Sequence, residues 1–439
     1  MVLRNDNFTN STGTTSASKL VEETFLDSLT FHIIIVGIFV LLMMVIIGVI
    51  SAYVYIRLKS KKDNGLEDFE VQIEPNESHD QYRNCQSSFE GNLGAFDPGK
   101  DLKSQVDNIP YDTKREIPRD RFKIGVKIGT GNFGKVYKGI LTGLYESKSQ
   151  TIVAIKSIVN EGSGNGFNDL ISEIKLMSYI KPHANLVSMI ASCSSELQTH
   201  GQLRLLIEYC EHGDLQNYLK NYENRILSGN ADDAINSRCL LKWAYGIAKG
   251  MQYLEEVKIM HGDLAARNIL LAEDPSHKET LLAKVADFGL AKQFYKNTSI
   301  YEKTNRLLVP WKWMALEYLE DDYFTLKSDV WSYGVLLWEI MAFGRQPYGH
   351  KEYDEVLEQL QSGYRLPFPN RIKDGLSWSP KSFYAEISQV CFIGEPTSRN
   401  SFSEVAHLVR NFLSGEENSQ YRELTLIYRK TRAEKYLNT

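Results

Sequence analysis

Hydrophobic and polar positions divide the chain into stretches of different character. Residues 1–28 are rich in Ser, Thr and Asn and show almost no apolar periodicity, so they cannot form a core of their own. Residues 33–56 form an apolar run, and residues 63–120 are polar and broken by prolines. From there to about Leu413, strand-like alternation is followed by helical periodicity without a long gap. We therefore expect order to begin near Arg121 and to continue as one large domain over residues 121–413.

The apolar run at residues 33–56 contains no charged residue, and a membrane-spanning helix needs about 20 apolar residues. Polar sequence on both sides leaves nothing nearby to bury such a helix on every face, which argues against a core helix. A cleaved signal peptide would have a shorter apolar region that starts earlier in the chain. The pattern predicts a short extracellular segment over residues 1–30, a transmembrane helix over residues 31–56 and a cytoplasmic juxtamembrane linker over residues 57–120.

Flanking charge sets the orientation of this predicted helix. Acidic residues precede the apolar run, and the basic residues that follow it are Arg57, Lys59, Lys61 and Lys62. Because basic residues favour the cytoplasmic side, the C-terminal bulk of the chain should lie in the cytoplasm, next to membrane lipid. Asn7 and Asn10 begin Asn-x-Thr triplets on the expected outer side, which makes them candidate glycosylation sites of a cell-membrane glycoprotein.

Composition excludes some classes of function. A formal net charge of -5 with 24% charged residues offers no surplus of positive charge to neutralise a phosphate backbone, so we expect no nucleic-acid partner. The five cysteines are odd in number and far apart, and none shows metal-ligand spacing. They are therefore expected to be reduced thiols in the cytosol.

Residues 128–136 (IGTGNFGKV) form a glycine-rich turn between two strand-like runs, where missing side chains let backbone amides approach phosphates. Alone, the pattern also fits an ordinary hairpin. It is followed by an apolar strand that ends in Lys156, a position suited to the α- and β-phosphates of ATP. Glu173 lies in a helical segment at residues 170–177 and could pair with Lys156, although a solvated surface glutamate is the alternative.

Residues 261–268 (HGDLAARN), followed after a short hairpin by residues 287–289 (DFG), carry the strongest chemical signal. Asp263 would orient a substrate hydroxyl and accept its proton, while Asn268 and Asp287 would hold Mg²⁺, or Mn²⁺ in its place, against the transferring phosphoryl group. These groups are very unlikely to follow the upstream glycines and lysine in this order by chance. His261 is expected to be a packed structural residue.

With these motifs, residues 122–413 resemble a eukaryotic protein kinase. The resemblance implies a two-lobed α+β fold, with a small antiparallel-sheet N-lobe that contains one helix, a mostly helical C-lobe, and ATP bound between them. It implies a buried aspartate, Asp329, beneath the catalytic loop and an ion pair between Glu317 and Arg399. The residues that would contact ATP are Ile128, Gly129, Gly131, Gly134, Val136, Ala154, Lys156, Glu173, Ile207, Glu208 and Cys210, the last three forming the adenine end.

Two places favour a receptor-type protein-tyrosine kinase. Serine/threonine kinases usually carry a lysine two residues after the catalytic aspartate, whereas this chain has Ala265 there and Arg267 two residues further on. Residues 310–315 (PWKWMA) resemble the segment on which tyrosine kinases rest the substrate ring. The juxtamembrane sequence at residues 109–120 also resembles that of growth-factor receptors. The implied reaction transfers the γ-phosphate of ATP to tyrosine hydroxyls of proteins, including its own, with Asp263, Arg267 and Lys156 as the catalytic residues.

Several positions depart from the kinase pattern without removing a catalytic group. They are Gly262 in place of arginine, Trp311 in place of a small aliphatic residue, Leu316 in place of proline and Asn400 in place of proline. These departures bear on the mode of activation and on the peptide-docking ledge. Without the arginine, we expect activity to depend less than usual on phosphorylation of Tyr301 in the activation loop.

Three other readings remain open from the sequence: a kinase-fold scaffold or co-receptor with little catalysis, a serine/threonine kinase, and a membrane anchor with an incidental domain, which explains none of the motif spacing. The short outer segment and the small residues Gly48 and Ala52 favour activation by homodimerisation or by a co-receptor. The C-terminal tail, residues 414–439, should present phosphotyrosines to adaptor proteins, unless its tyrosines pack on the domain. The candidates there are Tyr421, Tyr428 and Tyr436.

Overall fold

The computed structural model describes residues 89–97, 103–131, 134–144, 148–157, 165–227, 237–275, 277, 280–287, 310–370 and 379–437. The chain divides into two units, Met1–Phe69 and Glu70–Thr439, and every described residue belongs to the second. The predicted transmembrane helix therefore lies outside the described residues. Within the described part, no helix combines the length and the apolar character needed to cross a membrane.

The N-lobe is built on an antiparallel sheet of five strands in the order β1-β2-β3-β5-β4. The strands are β1 (Phe122–Gly131), β2 (Gly134–Thr142), β3 (Gln150–Ser157), β4 (Met189–Cys193) and β5 (Arg204–Glu208). One face carries a small apolar core that includes Phe122, Leu141, Val153 and Ile155. In β1, apolar residues alternate with lysine or glycine, whereas β3, β4 and β5 are buried along most of their length.

Helix α1 (Asn165–Tyr179) is the long helix of this lobe. Its buried side chains Leu170, Ile174 and Met177 recur at intervals of four and three residues, which places them on one face. Glu173 is buried on the same side, so the helix that packs on the sheet also carries a carboxylate into the space between the lobes. The short helix α2 (Leu197–His200) precedes β5.

The C-lobe is mainly helical. Its helices are α3 (Leu215–Leu227), α4 (Ser237–Glu256), α5 (Leu316–Asp321), α6 (Leu326–Met341), α7 (Tyr353–Gln361), α8 (Pro380–Cys391), α9 (Phe402–Arg410) and α10 (Gly415–Leu437). A two-stranded hairpin, β6 (Ile269–Glu273) and β7 (Leu281–Val285), lies beside α4. Helix α6 is the most buried of these helices. Thr325 caps its N-terminus, and the capping box that it forms with Ser328 satisfies backbone N–H groups of the first turn. The expected two-lobed α+β fold is confirmed.

Packed structure begins before Arg121, contrary to the expectation from the sequence. Val106, Ile109 and Tyr111 are buried in the main core, and a 3-10 segment at Lys103–Asn108 contacts α1. Burial raises the pKa of the Tyr111 hydroxyl, which donates a hydrogen bond to Glu116. The polar, proline-broken sequence concealed these contacts because isolated apolar residues leave no periodic pattern.

The C-terminal segment also differs from an extended docking strip. Residues 415–437 form helix α10, and Tyr421 packs against the C-lobe, with its ring 4.7 Å from that of Tyr245 between centroids. This is the alternative that the sequence left open for the tail tyrosines. The backbone of Tyr428 and Tyr436 belongs to the same helix.

Candidate active site

Lys156, Glu173 and Asp287 meet between the lobes. The Lys156 Nζ donates to both carboxylate oxygens of Glu173, at 2.8 and 2.6 Å, and lies 3.5 Å from the Asp287 Oδ1. Burial alone would lower the pKa of Lys156, but the carboxylates of Glu173 and Asp287 outweigh burial and raise it. The lysine therefore stays charged, as a group that binds phosphate oxygens must be.

The catalytic-loop residues follow α4 and precede β6. The Asn268 Nδ2 donates to the Asp263 Oδ2 and to the Asp263 backbone carbonyl, both at 2.7 Å. Arg267 forms a close ion pair with the Asp263 Oδ1. Both oxygens of this carboxylate are thus oriented by neighbours only four and five residues later, which is why the local sequence alone reveals the site.

Burial raises the pKa of Asp263 to about 6. The Arg267 charge and the hydrogen bond from Asn268 oppose this shift, whereas Asp287 adds to it. A carboxyl group with such a pKa is ionised at neutral pH and still basic enough to accept a proton from a hydroxyl. The site can therefore support general-base chemistry.

Asp329, on α6, holds the start of the catalytic loop. Its carboxylate accepts the backbone N–H groups of His261 and Gly262 at 2.7 and 2.9 Å. The His261 ring contacts the Ala286 carbonyl at 3.0 Å and the Asp263 N–H at 3.1 Å, so a neutral ring with its proton on Nε2 satisfies both. His261 is completely buried, in keeping with a structural role.

The β6 and β7 hairpin brings the second acidic group to this loop. Ile269 pairs with Val285, and the Ala286 N–H donates to the Asn268 carbonyl at 2.9 Å. Asp287 follows directly, with a positive φ of 60° that turns the chain. The rest of this motif, Phe288 and Gly289, lies outside the described residues.

Asn268 and Asp287 fit the chemistry of a divalent cation. The Asn268 Nδ2 is committed to Asp263, so its oxygen is the atom that would bind a metal, and Asp287 adds a partly exposed carboxylate. Mg²⁺ prefers such oxygen ligands and completes its shell with water and substrate phosphates. The described residues contain no cluster of three or more His, Cys, Asp or Glu arranged to hold a metal by themselves.

The residues expected to contact phosphate and adenine lie on or beside strands β1, β2, β3 and β5. Gly131 pairs with Gly134 at the turn, and Val136 pairs with Lys156 across β2 and β3, which places the glycine-rich turn over the lysine. Gly129 pairs with Val136 from the other side. Residues 132 and 133 lie outside the described residues, and Ile128 is 45% exposed at the cleft edge.

At the adenine end, Ala154 on β3 pairs with Ile207 on β5, and Glu208 and Cys210 are buried just beyond. The Glu208 N–H donates to the Ser188 carbonyl at 3.0 Å, so an adenine contact by Glu208 would come from its carbonyl. The Glu208 side chain turns away, towards Lys284 at 3.0 Å.

Glu339 belongs to the site and was missed in the sequence. This buried carboxylate on α6 accepts the Ala266 N–H and the Trp313 Nε1, both at 2.8 Å. The Arg267 guanidinium lies 4.4 Å from the centre of the Trp313 ring. Glu339 thus holds the backbone next to Arg267 and also the ring beneath it. The available signal was that Glu339 is, apart from Asp329, the only acid in the apolar helix α6.

A second buried ion pair supports the C-lobe. Arg399 donates to both Glu317 oxygens at 2.8 and 2.9 Å, and Ser328 donates to the same carboxylate at 2.8 Å. The pair anticipated from the kinase resemblance is therefore present.

Three of the predicted modification sites lie outside the described residues: Tyr301, Asn7 and Asn10.

Comparison with known proteins agrees with this architecture. The family profile of protein tyrosine and serine/threonine kinases matches residues 122–409. The chain therefore belongs to the family of protein tyrosine and serine/threonine kinases, a family whose members use ATP with a divalent metal.

Its relatives include growth-factor receptors. A fibroblast growth factor receptor from Strongylocentrotus purpuratus is 34% identical over 73% of this chain and 32% of the relative. Fibroblast growth factor receptor 1 from Xenopus laevis is 32% identical over 72% of this chain and 38% of the relative. Vascular endothelial growth factor receptor 3 from Coturnix coturnix is 32% identical over 74% of this chain and 26% of the relative.

The similarity to receptor-type tyrosine kinases expected from the sequence is confirmed by these relatives. The chain spans between 26% and 38% of their length, and the matched part includes the kinase domain.

Proposed function

We propose that the chain is a receptor-like tyrosine kinase, which transfers the γ-phosphate of ATP to tyrosine hydroxyls of proteins and of its own chain. The observation that carries this proposal is the position of Arg267, which pairs with Asp263 and lies over the Trp313 ring. Position 265, two residues after Asp263, is a buried alanine. A long tyrosine side chain can therefore approach the base from this side without competing with a lysine.

In this mechanism Asp263 accepts the proton of the tyrosine hydroxyl as the oxygen attacks the γ-phosphorus, and the bond from that phosphorus to the bridging oxygen breaks to release ADP. Lys156, held by Glu173, binds the phosphates, and Asn268 and Asp287 would hold Mg²⁺, which neutralises charge on the transferring group. Asp263, Arg267 and Lys156 are the proposed catalytic residues. The glycine-rich turn, Ile207 and the backbone of residues 208–210 would position the nucleotide.

Activity is tested with the purified full chain and two peptides that differ only in a tyrosine or a serine acceptor. We expect phosphate on tyrosine, and Asp263→Asn should reduce kcat by at least about 100-fold because the general base is lost. Asp322→Asn is the matched control: Asp322 is an exposed residue that caps α5 in a left-handed conformation that asparagine also adopts. Phosphoserine as the main product would contradict tyrosine specificity, and equal activity of Asp263→Asn would favour a weakly catalytic scaffold.

The proposed setting is the cell membrane, with residues 1–30 outside and the kinase domain in the cytoplasm, where adaptors and protein substrates are available. Its support is the apolar run at residues 33–56 and the flanking charges. Glycosidase treatment should increase the mobility of the chain from cells, and the double change Asn7→Gln and Asn10→Gln should remove that shift. Digestion of the kinase domain by protease added to intact cells would contradict this orientation.

A further inference from the structure

Helix α10 rests on the kinase domain through one face. Leu424 is 2% exposed and packs with Ala184 and Leu282, and Glu417 pairs with Arg238 on α4. The Tyr421 ring meets the Tyr245 ring edge to face. The contacts of this helix thus reach both the C-lobe and the loop that joins α1 to β4.

The hydroxyl of Tyr421 donates a hydrogen bond to the Asn185 Oδ1 at 2.5 Å. The direction of this bond is fixed, because the Asn185 Nδ2 donates to the Ala283 carbonyl at 2.9 Å, and the amide oxygen must then face Tyr421. Asn185 has little room to rotate: a Cβ built on Gly246 would lie 2.4 Å from its Nδ2. The position facing Asn185 therefore requires a donor.

A phosphorylated tyrosine offers only acceptor oxygens there and adds about -1.5 to -2 charges. Its oxygens would face the acceptor Oδ1 of Asn185, which is 1% exposed. Two hydrogen-bond acceptors that face each other in a buried position are destabilising, because neither atom keeps a hydrogen bond. Docking of α10 in the observed position and a phosphate on Tyr421 are thus incompatible.

We propose that Tyr421 is a phosphorylation site masked by its own helix, at which modification and docking of α10 exclude each other. In the reaction the Tyr421 oxygen forms a bond to the γ-phosphorus of ATP, the bond from that phosphorus to the bridging oxygen of ADP breaks, and the hydroxyl proton passes to the catalytic carboxylate. This inference rests on the proposed tyrosine kinase activity for the source of the phosphate. Release of the helix would also expose the tail to phosphotyrosine-binding proteins.

Release would change contacts near the active site. The Asn185 carbonyl accepts a hydrogen bond at 2.8 Å from the N–H of Val285, which lies two residues before Asp287. The Ala184 carbonyl accepts a hydrogen bond from the Lys284 Nζ at 2.8 Å. The docked helix therefore braces the loop between α1 and β4, which is hydrogen-bonded to β7 just before Asp287. A cavity of about 490 Å³ lies beside Tyr421, so helix α10 does not fill its docking surface completely. Incomplete packing reduces the free energy needed to release the helix.

The test uses the full chain with Asp263→Asn, so that its own activity is silent, together with an added broad-specificity tyrosine kinase and ATP. Phosphate on Tyr421 is followed by mass spectrometry, with the 59% exposed Tyr323 as the internal reference. Leu424→Asp, which undocks the helix, should increase the rate at Tyr421 at least about tenfold relative to Tyr323. Ser419→Asp is the matched control, because Ser419 is exposed on the same helix and an added charge there should leave the rate unchanged.

Hydrogen exchange of residues 415–437 then reports docking directly. After phosphorylation we expect the amides of α10 to lose protection, whereas Tyr421→Phe treated in the same way should keep it, although Tyr428 and Tyr436 remain. The cavity beside Tyr421 is lined by three basic residues that offer positive charge to a phosphate, namely Lys249, Arg410 and Arg422. A phosphorylated helix that stays protected, or equal rates in the Leu424 and Ser419 variants, would overturn the proposal. Because the added enzyme supplies the phosphate, these outcomes are independent of the chain's own specificity.

Discussion

At the scale of single residues, the chemistry depends on how Asp263 is surrounded. Its carboxylate is buried, which raises its pKa, and Arg267 holds that pKa down through charge and a hydrogen bond. The same arginine lies over Trp313, whose indole N–H is held by Glu339. Burial raises the pKa of Glu339 to about 7, so the network contains a second carboxyl group that titrates near neutrality. The basicity of Asp263 therefore depends on residues far from it in sequence.

The pH profile of catalysis should report this balance. A base with a pKa of about 6 is active when deprotonated, so kcat/KM should fall as the pH falls through about 6. Replacing the arginine, in Arg267→Ala, removes the cation that lowers this pKa, and the acid limb should move to higher pH. Arg345→Ala, which removes an exposed partner of Glu223, should leave the limb in place. An unchanged limb in Arg267→Ala would contradict this role of the arginine.

Gly262 offers a second prediction at the residue scale. Its φ is +80°, a conformation that glycine adopts without strain and that costs other residues about 1–2 kcal/mol. Gly262 carries no charge that a phosphate on the activation loop would neutralise. The Tyr301→Phe variant should therefore lose less than about tenfold in kcat/KM, about 1.4 kcal/mol. Gly262→Arg should make the enzyme more dependent on Tyr301, as measured against the phosphorylated parent. Gly262→Ala introduces the same backbone strain without the charge and is the control.

At the scale of elements, the segment before β1 acts as a brace for helix α1. Val106, Ile109 and Tyr111 fill the core beside Phe167 and Leu170. The Lys175 Nζ on the same helix donates to the Asp107 carbonyl at 3.3 Å. Because α1 carries Glu173, the placement of the partner of Lys156 depends on residues that precede the predicted domain.

Shortening one of these side chains should therefore affect both stability and catalysis. Ile109 is 5% exposed, and Ile109→Ala should reduce the free energy of unfolding by about 2–5 kcal/mol, with a loss of kcat from displacement of Glu173. Ile152→Ala is the matched control, because Ile152 is 50% exposed on β3 and the same change should cost little. Urea unfolding and steady-state kinetics measure the two effects. Equal losses in both variants would show that the segment does not brace the helix.

At the scale of the whole molecule, we expect the proposed kinase to be activated by association of chains. The small residues Gly48 and Ala52 in the apolar run favour close approach of two such helices, so we expect forced dimerisation of the full chain to increase autophosphorylation in trans. The measurement compares phosphotyrosine with and without the dimerising agent, and Asp263→Asn provides the background. Autophosphorylation that is independent of association would contradict this route to activation.

The sequence by itself determined which groups we propose as the ones that do the chemistry. Lys156, Asp263, Asn268 and Asp287 stand in short motifs whose order reflects local geometry: Asn268 meets Asp263 across five residues, and the β6 and β7 hairpin brings Asp287 to them. The alternation in β1 and the helical periodicity of the C-lobe also indicated the fold class, because burial on one face imposes those periods.

Only the tertiary structure decided which isolated residues complete the site. Glu339 reaches Ala266 across 73 residues, Tyr421 reaches Asn185 across 236, and Tyr111 reaches Ser192 across 81. Each is a single polar or aromatic side chain in a segment whose local pattern indicates something else: an apolar helix, a charged tail or a proline-broken linker. The need for a hydrogen-bond partner is a property of burial, and burial arises only when distant segments pack together.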